Sequence, residues 1–148
     1  MEALALVAIG YVGTVFWPLS PEGAAALYVS QRGWHPLLVG LLAATGQAGA
    51  HATLYFAGDQ LRRRWPWFDG KCERARARHG RLLQRGQVPL ALVSGLLGIP
   101  PSSVTAALAP GLGIPARLLL PLLFVMRVIR ISVVAALGAG VGAWLFGH

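Results

Sequence analysis

Apolar residues fall along this chain in long runs, and proline, glycine and charge divide those runs. Residues 3–17 are apolar and of borderline length for a membrane span, with Trp17 placed as an interfacial anchor. The stretch "FWPLSPEGAAALY" then sets Pro18, Pro21 and Glu22 between apolar flanks, and a polar patch, "SQRG", closes it at Gly33. Residues 34–58 form a cleaner span. Residues 59–87 are polar and basic. Within them "KCERARARHGRLLQR" has no sustained apolar face and few breakers, which predicts a polar or interfacial helix. From residue 88 the chain is apolar almost to its end, but "GLLGIPPSSVTAALAPGLGIP" carries Pro100, Pro101, Pro110 and Pro115. Residues 114–147 make a final apolar stretch, long enough for one tilted span or for two meeting near Arg127 and Arg130.

Proline removes a backbone donor and clashes with the preceding turn. In hydrocarbon, backbone groups freed in this way are tolerated only inside protein or beside a wet cavity. Residues 18–33 and 88–113 therefore read as re-entrant hairpins that enter partway and return on the same side. A proline-kinked spanning helix is the alternative for the second. The two stretches also align. At an offset of eighty residues, "PEGAAALYVSQRGWHP" lies over "PSSVTAALAPGLGIPA" without gaps, and Pro21, Ala26 and Gly33 match Pro101, Ala106 and Gly113. Each copy is a proline-initiated, alanine-rich short helix, a glycine turn and a longer apolar span. With one span and the basic segment between them, the hairpins enter from opposite faces. The expected fold is an all-α integral membrane protein with a single membrane domain. It is an inverted repeat of two opposed re-entrant helical hairpins, each followed by a transmembrane helix. Pro21, Gly33, Pro100, Pro101 and Gly113 are its structural hairpin residues. Inverted repeats with paired broken helices are a signature of secondary transporters.

Composition agrees with a membrane setting. Hydrophobic residues make up 55% of the chain and charged residues 12%, where a soluble domain carries about 25% charged residues. Mean hydropathy is +0.60. The net charge of +8 is unevenly placed, since nine of the thirteen basic residues lie between Arg62 and Arg85. Such a cluster can bind nucleic acid. Between long apolar runs it reads instead as a cytoplasmic loop obeying the positive-inside rule and touching anionic lipid headgroups. The Pro-Glu hairpin then enters from outside and the Pro-Pro-Ser-Ser hairpin from the cytoplasm. Trp65, Trp67 and Phe68 around Pro66 fit a headgroup-level anchor, or a solvated turn with its aromatics on the neighbouring span. Met1-Glu2 offers no basic n-region, so the first run does not read as a removable signal peptide. Cys72 is the only cysteine, which excludes an internal disulfide and a CxxC site. "GAGVG" near the end has the small-xxx-small spacing of closely packed helices.

Outside the basic cluster and the N-terminus, Glu22, Arg32, Asp59, Arg117, Arg127 and Arg130 are the remaining charges. A charge at membrane depth costs on the order of 3 kcal/mol on insertion scales, so it faces a cavity or a partner. Glu22 opens the first hairpin, where a carboxylate either favours the helix N-terminus or serves as a gating or proton-linked group. Arg127 and Arg130, three apart, share one helical face. They suit bidentate contact with a phosphate oxyanion, or snorkelling to an interface. His35, His51, His79 and His148 have no i, i+4 ligand spacing and no cysteine partners, so no metal site is expected. Ser102, Ser103, His51 and His79 are hydrolase side-chain types, but no Gly-x-Ser-x-Gly stretch or paired acidic motif accompanies them. Neither catalytic residues nor a cofactor is expected.

Ser-Pro-Glu before a short alanine-rich helix resembles the start of the DedA/VTT (SNARE-associated) family of membrane proteins, in its small bacterial members. "GQAGAHATLYFAG" is similar to that family's Gly-x-x-x-Gly-Asp-x-x-x-Tyr-x-x-Gly-Arg segment. The His79-Gly80 pair, the proline-rich second hairpin and Arg127 with Arg130 also fit, so the resemblance covers residues 16–140. The chain departs from the pattern in having Ala50-His51 for Gly-Asp, Gly58-Asp59 for Gly-Arg, and "LLGIPPSS" where the family has Arg-Phe-x-Pro. The resemblance implies transport of a lipid, with Glu22, Arg127, Arg130, His51 and Asp59 as substrate or transport residues. Proton coupling would suit a titratable Glu22 or His51. The expected activity is that of a flippase or scramblase moving a polyprenyl phosphate or phospholipid across the bacterial inner membrane. A proton-coupled small-solute or drug exporter and a non-transporting membrane scaffold are the alternatives. Expected partners are membrane lipids at the basic loop, a lipid-phosphate substrate and, in a homo-oligomer, further copies of the chain; nucleic acid is not among them.

Overall fold

The computed structural model describes residues 1–16, 20–67, 69–70, 73–74, 86, 88–89, 92 and 102–146. Among these every regular element is a helix: α1 (Glu2–Val15), α2 (Pro21–Arg32), α3 (Pro36–Arg64), α4 (Ser102–Leu112) and α5 (Ala116–Phe146). Two of them are long and apolar enough to cross a membrane, Pro36–Arg64 and, within α5, Ala116–Gly138. Both carry large apolar side chains outward, including Leu38, Leu41 and Phe56 on α3 and Val125, Ile129 and Val133 on α5.

Local chemistry sets the helix ends. Ser20 caps α2, its hydroxyl accepting from the Gly23 amide at 3.1 Å, and Pro21 occupies the first turn, where its missing donor costs nothing. At the other end Gly33 takes φ 66°, and its amide bonds the Val29 carbonyl. Helix α4 ends in the same way. Gly113 takes φ 77°, and the Ile114 amide reaches back to the Ala109 carbonyl at 2.9 Å. A short helix, a left-handed glycine and a long helix thus occur twice. α2 and α4 end at residues 32 and 112, the glycines are 33 and 113, and α3 and α5 start at residues 36 and 116.

Two boundaries differ from those the sequence suggests, and α5 takes one of the two forms left open for it. α1 has 14 residues, about 21 Å of helix, short of the about 30 Å hydrocarbon core of a bilayer. α3 continues through Asp59 to Arg64, because 59–64 are helix-tolerant residues with no breaker before Pro66, and three arginines in its last turn suit the helix dipole. α5 is one uninterrupted helix of 31 residues, through both arginines. Pro100 and Pro101, most of residues 88–101, Cys72, His79 and most of the basic segment lie outside the described residues.

The chain divides into two compact units, residues 1–50 with 124–148, and residues 51–123. In the first, Leu6, Ala25, Val39, Ala43, Ala44, Ile131 and Ala135 form the core. Tyr28 and Trp34 meet edge-on beside it, with ring centroids 5.7 Å apart. Small residues let the backbones approach closely. A methyl group at Gly46 would strike the Val7 carbonyl, and one at Gly10 would strike the Ala43 carbonyl, so α1 and α3 are glycine-fitted to each other. In the second unit the core is Ala109, Ile114, Leu119 and Leu123, covered by Tyr55 and leucines. The Tyr55 hydroxyl donates to the Ile114 carbonyl at 2.9 Å, which satisfies a backbone acceptor left between α4 and α5.

Candidate functional site

In the first unit, the start of α2 meets α5. Because Ser20 supplies the helix cap, the Glu22 carboxylate is available for tertiary contact. Its Oε1 lies 3.4 Å from Arg127 Nη1 and 3.3 Å from Arg130 Nε. Ser20 Oγ donates to the other oxygen, Oε2, at 3.4 Å. One carboxylate oxygen is therefore shared by two guanidinium groups. Arg127 and Arg130 reach it together because a spacing of three puts them on one helical face. The side chains are 17% exposed for Glu22, 11% for Arg127 and 29% for Arg130, so the ions sit largely out of solvent.

Ions desolvated to this degree persist only when their geometry compensates for lost hydration. Here the formal charges are one negative and two positive, which leaves the group cationic. Guanidinium N–H groups that converge on a carboxylate oxygen present the same donors to a phosphate oxygen. The arrangement is suited to an oxyanion that competes with Glu22 for those donors.

The other sequence-derived candidates fall elsewhere. His51 belongs to the second unit, where its Nε2 is 3.0 Å from Ser102 Oγ, the first residue of α4. The tautomer decides which of the two donates. Both groups are buried, at 1% and 3% exposure, so the hydroxyl is not offered to a solute. Asp59 joins an ion-pair group along the end of α3. It contacts Arg63 at 2.9 Å and Arg62 at 3.4 Å, while Arg62 also reaches Asp69 at 2.9 Å. These are helical i, i+3 and i, i+4 neighbours plus one return contact, and such pairs are satisfied locally. The structure thus joins Glu22, Arg127 and Arg130, and gives Asp59 to the end of α3. Pro21 and Gly33 bound α2 and Gly113 ends α4. Among the described residues no group of three metal-ligating side chains occurs.

Sequence reasoning missed the pairing of His51 with Ser102, and it missed Gln47. That glutamine is 3% exposed and its Oε1 is without a hydrogen-bond partner. A signal was present for two of these positions, Ser102 and Gln47. Ser102 lies eighty residues after Glu22, and Gln47 lies eighty before Arg127, so the offset that aligns the glycines also aligns these polar positions. Position 50, the counterpart of Arg130, is alanine, and His51 follows it. No protein-family model, curated protein or solved structure matches this chain.

Proposed function

We propose that the chain is a membrane lipid transporter of the DedA/VTT type, a flippase or scramblase for a phosphate-bearing lipid such as a polyprenyl phosphate or phospholipid. The observation that carries this reading is Glu22 shared by Arg127 and Arg130, a cationic group facing the first turn of α2 from an apolar, span-length helix. Ionisable residues at such depth mark substrate or ion pathways. In this reading α2 and α4 belong to two re-entrant hairpins that enter from opposite faces, and the headgroup phosphate exchanges with Glu22 on the two guanidiniums. The basic segment lies on the cytoplasmic face of the bacterial inner membrane, as the positive-inside rule requires.

The experiment is reconstitution into liposomes with a fluorescent polyprenyl phosphate or phospholipid, followed by a leaflet-specific assay. The Arg127→Ala/Arg130→Ala double variant is expected to lose translocation, and Arg127→Lys/Arg130→Lys to keep only part of it, because lysine cannot reproduce the planar fork. Wild-type rates in the alanine variant would exclude the site.

A further inference from the structure

The eighty-residue offset extends from the helix ends to what holds the short helices in place. α2 carries Glu22 in its first turn, and Arg127 and Arg130 of α5 hold it. α4 carries Ser102, the counterpart of Glu22, in its first turn, and His51 of α3 holds it. A second contact repeats one to two turns further along each short helix. A methyl at Gly138 of α5 would come within 3.0 Å of the Ala26 methyl of α2, while a methyl at Gly58 of α3 would strike the Ala107 carbonyl of α4. Gly58 and Gly138 are again eighty apart, and Ala107 lies one residue from the counterpart of Ala26.

We propose that Glu22–Arg127–Arg130 and His51–Ser102 are paired clasps, each fixing the first turn of a short helix to the long helix that follows the other short helix. One clasp is built on a carboxylate and the other on an imidazole–hydroxyl hydrogen bond, so an oxyanion, which competes with a carboxylate, releases α2 and leaves α4 in place. The idea rests on the transporter reading for the anion, but the clasps themselves rest on contacts alone. An oxyanion takes guanidinium N–H donors from a carboxylate directly, because both are anionic acceptors of charge-assisted guanidinium hydrogen bonds. It has no such purchase on a buried hydroxyl bonded to an imidazole. The imidazole clasp also holds the helix with the closer glycine seat, since the Gly58 approach is to backbone and the Gly138 approach is to a methyl group. His51 and Ser102 are therefore positioning residues that set which short helix moves.

The test is hydrogen–deuterium exchange on the full chain in lipid nanodiscs, read separately for residues 22–32 and 103–112. His51→Ala removes one side of a buried hydrogen bond, and α4 amides are expected to exchange about tenfold faster while α2 stays unchanged. His51→Gln, whose amide reaches the position of Nε2, is expected to restore most of the protection. Arg127→Gln should do the reverse, loosening α2 alone. Inorganic phosphate added to wild type is expected to speed exchange in α2 and not in α4. Unchanged α4 exchange in His51→Ala, or equal loosening of both helices in either variant, would overturn the clasps. Equal loosening of both by phosphate would also overturn the proposal. A wild-type α2 that ignores phosphate while the substitutions act as expected would overturn the anion-released part and, with it, the lipid-phosphate reading, but would leave the two clasps standing.

Discussion

At the first turn of α2 a carboxylate meets two guanidiniums, while at the first turn of α4 a hydroxyl meets an imidazole. The two helices have similar lengths, each ends in a left-handed glycine, and each is followed by a long helix. They differ in the chemistry of the contact and in what faces the glycine seat. One backbone plan thus holds two helices by forces with different dependences. The ionic contact responds to competing ions and depends on every partner being present, because an ion left alone out of water is costly. The imidazole–hydroxyl contact contains no carboxylate for a dissolved anion to replace.

The largest effect should come from breaking the ionic contact on one side. Glu22→Gln is expected to destabilise the fold by about 3 kcal/mol, the order seen when one partner of a buried pair is removed, because Arg127 and Arg130 then lose the carboxylate they share. Unfolding by denaturant in detergent measures it, and adding Arg127→Ala to the same chain should recover part of the loss, because one of the two cations left without a carboxylate is then gone. A double variant as unstable as the sum of the two single ones would show that the three ions do not act as a group.

The glycine seats give the next comparison. Gly58→Ala is expected to cost about 2 kcal/mol, because its methyl meets the fixed backbone of Ala107 and one helix must shift. Gly138→Ala meets only the Ala26 side chain and should cost clearly less by the same unfolding measurement. Equal costs would remove the claimed difference in how firmly α2 and α4 are seated. The smallest effect should be that of Ser20→Ala, about 1 kcal/mol for a lost N-cap. It would show as faster amide exchange confined to the first turn of α2, where Gly23 loses its acceptor.

Much of the helical framework is legible in the sequence because prolines and glycines punctuate it. Pro21, Gly33 and Gly113 bound their helices through covalent and steric limits that no tertiary contact needs to reinforce. Glu22, Arg127 and Arg130 are legible as a set for a related reason: charges are few in this chain, and each costs too much in an apolar setting to lack a purpose. Asp59 satisfied the same rule, but its helical neighbours Arg62 and Arg63 already answer it, and their spacing makes that answer readable in retrospect. The His51–Ser102 contact was not legible from residue type. A histidine and a serine fifty-one positions apart carry no sign that demands a partner, and serine is common at helix starts for its own reasons. The close approaches at Gly46 and Gly58 were hidden in another way. The chain has 19 glycines, so composition does not single out those on which a neighbouring backbone rests.

The crossed pairing of short and long helices bears on what a fragment of this chain can be. A piece that stops within the basic segment keeps Glu22 without the guanidiniums that share it, and the remaining piece keeps Ser102 without its imidazole. Neither half is then a small version of the whole. Each is a template with one end unanswered, and the complement it requires is the other half or, failing that, the matching residues of a second molecule.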